Sequence, residues 1–179
     1  MTAIATFLVE NEKLVTGITA ITAVIVSTIS IFVAVRALSL QRAHNRKSLL
    51  PVAYFGVGDY ENFLVVRLSN DGVGPMVVDK MSVLNASTKK EIGLAIIDHM
   101  PDGLEWETYT RDIRGRSLGA GKDLLLISLR GDPEDSTFRK ARDSVRCELA
   151  KLIVKIEFHS VYDEKFVAER SLEWFAREK

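Results

Sequence analysis

From Leu14 to Val35 the chain reads LVTGITAITAVIVSTISIFVAV, 22 residues without a formal charge. Coiled as a helix rising 1.5 Å per residue, such a run covers about 33 Å, enough to cross the hydrocarbon core of a bilayer. Charge-free runs of this length are uncommon in soluble proteins, so a transmembrane helix over residues 14–35 is expected. A cleaved signal peptide fits badly. Glu10 and Glu12 precede the run, the run is too long, and no A-x-A site follows it.

The flanks give the span a direction. Glu10 and Glu12, with only Lys13, lie before it, while Arg36, Arg42, Arg46 and Lys47 follow it. Positive-inside bias makes residues 1–13 a short extracytoplasmic segment and puts everything after Arg36 in the cytoplasm. The helix is expected to continue through RALSLQRAHNRKSLL as a basic juxtamembrane helix over residues 36–50. It should stop before Pro51, whose ring disfavours helix at the residue ahead of it.

Within the span, Thr16, Ala20, Ala23, Ser27, Ser30, Ala34 and Ala37 recur at alternating spacings of four and three, and Gln41 and His44 continue the line. Lipid gives helices no hydrophobic reason to associate, so small residues that let backbones approach mark contact faces. A 3.5-residue repeat implies a left-handed bundle. The seam fits close helix contact or a narrow pore lined by Thr16, Ser27 and Ser30; it does not choose between them. The cluster Arg42, His44, Arg46 and Lys47 also has two readings. It marks topology and touches anionic headgroups, or it forms a ring in an oligomer that binds an anionic ligand.

After Pro51 the chain changes character. Short β-branched and aromatic segments, PVAYFGV, NFLVVRLSN and PMVVDKMSVLN, are separated by GDYE and NDGVGP. GLAIIDHM and EWETYTRDI are possible strands and AGKDLLLISLR a clear one. DPEDSTFRKARDSVRCELAK reads as the one soluble helix, capped by Asp132 with Pro133 in its first turn and Phe138, Ala141, Val145 and Leu149 on one face. KLIVKIEFHSVY and KFVAERSLEWF form a hairpin across YDEK. The expected architecture is one N-terminal transmembrane helix followed by a mainly β, antiparallel sandwich-like cytoplasmic domain over residues 51–179 with one inserted helix.

Lys+Arg and Asp+Glu both number 24, so net charge points to no acidic or basic partner. The single cysteine, Cys147, excludes an internal disulfide, and it reads as a buried small apolar residue of the helix. His44, His99 and His159 are scattered without ligand spacing, so neither a metal nor a cofactor is expected. The glycines of Asn70-Asp71-Gly72-Val73-Gly74-Pro75 do not open a helix, as a phosphate loop must; the segment reads as a tight strand connection. Asp98-His99 lacks a nucleophile elbow, and His159 reads as a structural histidine in a strand. Arg111, Arg114, Arg116 and Lys122 form a basic loop, either solvated or binding a nucleotide or oligonucleotide. No residue pattern argues for an enzyme.

Two motifs in order carry a resemblance. His44-Asn45-Arg46 with Ser48 and Pro51 after a single span, then Asn70-x-Gly72-x-Gly74-Pro75, resembles the pattern of a large group of small bacterial membrane proteins with a cytoplasmic β domain. The late segment I-x-F-x-S-x-Y-x-x-x-F (Ile156, Phe158, Ser160, Tyr162, Phe166) also recurs in that group, and Met76 departs from its usual alanine. In size and layout the chain looks like the membrane effectors of Hailong antiphage systems. That resemblance implies a channel-like homo-oligomer in the bacterial inner membrane, opened under control of nucleotide oligomers, akin to single-stranded DNA, made by a partner nucleotidyltransferase. A membrane-tethered adaptor, whose β domain docks a protein partner at a sheet edge, is the reading from a different class.

Overall fold

The structure, a computed structural model, describes residues 11–176. The chain divides into a first unit ending at Lys47 and a second beginning at Ser48. The first is dominated by α1 (Glu12–Ser48), a helix of 37 residues. At 1.5 Å per residue it is about 55 Å long. None of its residues is buried. It is long and apolar enough to cross a membrane. It runs through the basic segment and ends two residues short of Leu50, as the proline after that residue requires. Of the segment expected outside the membrane, residues 1–10 lie outside the described residues, and Glu12 and Lys13 already belong to the helix.

The second unit contains β1 (Ala53–Asp59), β2 (Phe63–Asn70), β3 (Met76–Asn85), β4 (Glu91–Gly93), β5 (Thr108–Tyr109), β6 (Ser117–Leu118), β7 (Asp123–Arg130), α2 (Ser136–Leu149), β8 (Leu152–His159) and β9 (Lys165–Ser171). One sheet has the order β1-β2-β7-β5. The other runs β4-β3-β8-β9, with β6 added beside β3. All pairings are antiparallel. The two sheets enclose one core built by period-two alternation: Leu64, Val66 and Leu68 from β2, Val154, Ile156 and Phe158 from β8. The mainly β, sandwich-like domain with one inserted helix is therefore the observed architecture.

Helix α2 begins one turn later than its sequence suggests. Asp132 does not cap it; its carboxylate accepts from the Glu134 N–H at 2.9 Å and its carbonyl from the Asp135 N–H at 3.1 Å, closing a turn ahead of the helix. Asp135 is the cap, accepting from the Thr137 N–H at 2.8 Å. Phe138, Val145 and Leu149 are buried as their spacing demands, and Ala141 is half-buried. Cys147 is exposed, contrary to its reading as a core residue. Two positions beyond Val145 at 100° per residue, it is turned about 160° away from the buried face. The ion pair of Arg146 with the buried Asp59, 3.3 Å, and bonds from Arg142 to the Tyr60 and Glu61 carbonyls tie α2 to the β1–β2 turn.

The weakly patterned stretch also differs from expectation. Ile96–His99 is a single 3-10 turn, and of EWETYTRDI only Thr108 and Tyr109 pair with β7. In GLAIIDHM, Ala95, Ile96 and Met100 are buried while Leu94 and Asp98 are exposed, a spacing that suits a turn laid on the core rather than a strand.

Ile156 sits in the middle of β8 with no exposed surface. Ile156→Ala is expected to destabilise the domain by about 2–5 kcal/mol, whereas Val161→Ala on the surface should change it by no more than about 0.5 kcal/mol. Urea unfolding of the solubilised protein, followed by the fluorescence of Trp106 and Trp174, measures both.

Candidate functional site

Asn70, at the end of β2, is a polar residue with no exposed surface. Its side-chain oxygen accepts from the N–H groups of Val52 (3.2 Å) and Gly72 (3.1 Å). Its amide nitrogen donates to the carbonyls of Gly74 (2.8 Å) and Leu118 (3.0 Å). An asparagine amide has two acceptor positions and two donors, and all four are used. The main chain of Asn70 is engaged as well, its N–H donating to Lys122 O (3.0 Å) and its carbonyl accepting from Gly121 N–H (2.8 Å).

The loop after Asn70 closes around the chain that follows α1. Val73 N–H donates to Leu50 O at 3.2 Å and Asp71 N–H to Val52 O at 2.8 Å. A Cβ on Gly74 would lie 1.8 Å from the Leu49 carbonyl oxygen, and one on Gly72 would lie 2.4 Å from both Leu50 O and Val52 N. The two glycines are required by this close backbone approach, not by a positive φ. The segment does connect β2 to β3, as its sequence implies, and it also forms a clasp on residues 49–52. The spacing N-x-G-x-G was the available signal. What it grips, about 20 residues upstream, leaves no local trace.

The seam residues Thr16, Ala20, Ala23, Ser27, Ser30 and Ala34 all lie on α1 and are exposed. At 100° per residue they fall within an arc of about 80°. Thr16 and Ser30 donate to the carbonyls of Glu12 and Val26, each at 2.8 Å. Thr19, Thr22, Thr28 and Ser39, off the seam, bond in the same way to the carbonyl four residues back. A hydroxyl held so needs no water, which suits an apolar surrounding. Ser27 is the seam hydroxyl for which, among the described residues, no such bond forms.

Arg42, His44, Arg46 and Lys47 are exposed on the last turns of the same helix. Arg42 and Arg46 share a face; His44 and Lys47 point about 160° and 100° away from Arg46. On one helix they form a collar rather than a converging site.

In the basic loop much of the charge is engaged locally. Arg114 bonds to both carboxylate oxygens of Asp112, at 3.3 and 3.0 Å, and this hydrogen bond holds the Asp112 carboxyl below its usual range. Arg111 lies over the Tyr109 ring, 5.8 Å from its centroid. Nearby, Ser128 (2.6 Å) and Arg130 (2.7 Å) hold the Glu107 carboxyl low in the same way.

His159 does have a partner. Its Nδ1 is 2.8 Å from Asp79 Oδ1, beside a cleft of about 470 Å³ that Glu157, Asp163, Lys165 and Phe166 also line. Asp79 is the extra residue of a β-bulge, since Val78 pairs with Phe158 and Lys80 with Glu157. A carboxylate on Nδ1 fixes the ring's orientation, but the residues lining this cleft include no serine, threonine or cysteine. The pair can orient an imidazole. His99 packs against Gly93, where a Cβ would meet its Nε2 at 2.6 Å. No protein-family model matches this chain, and no curated protein matches it.

Replacing Asn70 by Ala strands four main-chain groups, some of which water can reach, and should cost about 3 kcal/mol. Asn70→Asp should be no milder, because it turns both donors facing Gly74 O and Leu118 O into acceptors. Gly74→Ala should destabilise comparably by displacing Leu49. Urea midpoints of the three variants check the clasp; midpoints equal to that of the parent would remove it.

Proposed function

We propose that this chain is an oligomeric membrane effector: α1 spans the membrane, helices of several copies meet along the small-residue seam, and the β domain biases the state of the resulting channel-like bundle. The observation that carries the reading is the seam itself. Six small or hydroxyl residues fill one arc of a helix whose other faces carry exposed Ile18, Ile21, Ile25, Ile29 and Phe32. Close approach along that arc gains dispersion contact while the Thr16 and Ser30 hydroxyls stay bonded within their own helix, and the bulky faces suit lipid.

The charge asymmetry about the span supports an N-terminus outside the bacterial inner membrane and a cytoplasmic β domain. In such a bundle the collars of Arg42, His44, Arg46 and Lys47 from neighbouring helices come close together. That gives a ring of positive charge suited to a phosphate-bearing ligand. The nucleotide oligomers and partner nucleotidyltransferase implied by the Hailong resemblance fit that chemistry, and with them a role in antiphage defence is the reading we propose. Such a ligand acts by binding one state of the domain better than another. The clasp gives that change a route, because residues 49–52 continue directly from the helix and are held by the domain's own hydrogen bonds. The adaptor reading is favoured by one feature, the free edge of β9.

Two measurements test this reading. A periplasm-active reporter fused after Lys179 should be silent and a cytoplasm-active one should work; the reverse would overturn the orientation. Crosslinking in membranes should show an oligomer that Ala23→Leu or Ser27→Leu weakens and Ile25→Leu leaves intact, with loss of toxicity or phage protection following the same pattern. Equal behaviour of all three would remove the seam and favour the adaptor.

A further inference from the structure

Strand β9 is the one long and regular edge of the sandwich among the described residues. The other edges are blunted in ways typical of natural sheets. β4 and β5 have three and two residues, and β1 contains Gly56 and Gly58 and has its Phe55 carbonyl taken by the Arg170 guanidinium. By contrast β9 pairs with β8 without a register shift and has neither proline nor glycine.

Two bonds at the ends of that ladder fix which groups face outward. Ser160 N–H donates to Glu164 O at 3.0 Å and Leu172 N–H to Leu152 O at 2.9 Å. Hydrogen-bonded pairs alternate along an antiparallel ladder, so Phe166, Ala168 and Arg170 bond to β8. Lys165, Val167, Glu169 and Ser171 then direct their N–H and C=O groups away from the sheet. The side chains of these same four residues are the exposed ones, with Val167 at 61 %.

We infer that β9 pairs with β9 of a second copy of this chain, antiparallel about a two-fold axis at Val167. The strand is its own complement. With Val167 opposite the partner's Val167, Lys165 faces the partner's Glu169, and Glu169 faces the partner's Lys165. The outward main-chain groups of Lys165, Val167 and Glu169 are then all satisfied, and the two exposed valines cover each other. Moving the register by one hydrogen-bonded pair sets Val167 against a charged residue in either direction and separates the opposite charges. The contact is isologous, as a closed dimer requires. It joins the β domains of two copies and does not depend on the helix seam of the preceding reading.

The test uses the full chain in membranes with Cys147→Ser, which removes the exposed native thiol. Cα atoms of a hydrogen-bonded pair lie about 5.5 Å apart, within disulfide range. Val167→Cys should therefore give a linked dimer on mild oxidation, whereas Lys140→Cys, exposed on α2, should not. Lys165→Glu or Glu169→Lys alone should lower the yield several-fold by opposing like charges, and the two together should restore it. A yield at Val167→Cys no greater than at Lys140→Cys, a double reversal that fails to rescue, or a link to a different protein would each overturn the inference. Adding Ala23→Leu keeps the two self-association surfaces apart. Loss of the helix crosslink with the β9 dimer retained supports the β9 contact, whereas a seam crosslink without a β9 dimer overturns it alone.

Discussion

Six hydrogen bonds converge on Asn70, and two of them reach from one sheet of the β domain to the other. The Val52 N–H belongs to the chain entering β1, Gly74 O to the chain entering β3, and Leu118 O to β6; the first lies beside one sheet and the other two in or beside the second. The asparagine's backbone meanwhile holds Gly121 and Lys122 in the turn between β6 and β7. A residue this buried must have every polar group satisfied, and the geometry that satisfies it fixes where both sheets begin. The relative placement of the sheets at this end of the sandwich thus rests on one side-chain amide.

Glycine makes that arrangement possible. The backbone of residues 72–74 lies against the backbone of residues 49–51 with no room for a Cβ at Gly72 or Gly74. Residues 49–52 are therefore bound inside the β domain's own hydrogen-bonded network. The β2–β3 connection and residues 49–52 are linked by the bonds of Val73 to Leu50 and Asp71 to Val52. The same construction would hold an adaptor at a fixed point of its chain, so the clasp serves either reading of the protein.

The two proposed self-association surfaces differ in physics. Along α1 the proposed contact is dispersion between small residues, and it leaves the Thr16 and Ser30 hydroxyls bonded within their own helix. Along β9 it is main-chain hydrogen bonding in water, with register set by alternating Lys165, Val167 and Glu169. One surface tolerates sliding; the other specifies a single alignment.

The apolar run, its length and its basic flank fixed the existence and extent of α1, because a charge-free helix of that length is a local property. The apolar, β-branched segments of β2, β3, β7 and β8 are likewise legible, with alternating burial along β2 and a run of four buried residues in β7. The start of α2 lies one turn beyond Asp132 because Asp132 and Asp135 are both competent caps, and only the turn ahead of the helix selects between them. Cys147 is exposed because it lies about 160° from Val145, so the helix's own spacing outweighs the apolar character of the residue. The partnerships that matter most, Asn70 with Val52 and Leu118, Asp79 with His159, and Asp59 with Arg146, join residues 18 to 87 positions apart. Periodicity reports which face of an element is apolar; it carries no record of which distant backbone or side chain will meet a polar group. The sequence by itself determined a membrane-length helix and a β domain, and only the tertiary structure decided that N-D-G-V-G closes on residues 49–52 and that β9 is left at a sheet edge, because both depend on which distant backbone groups meet.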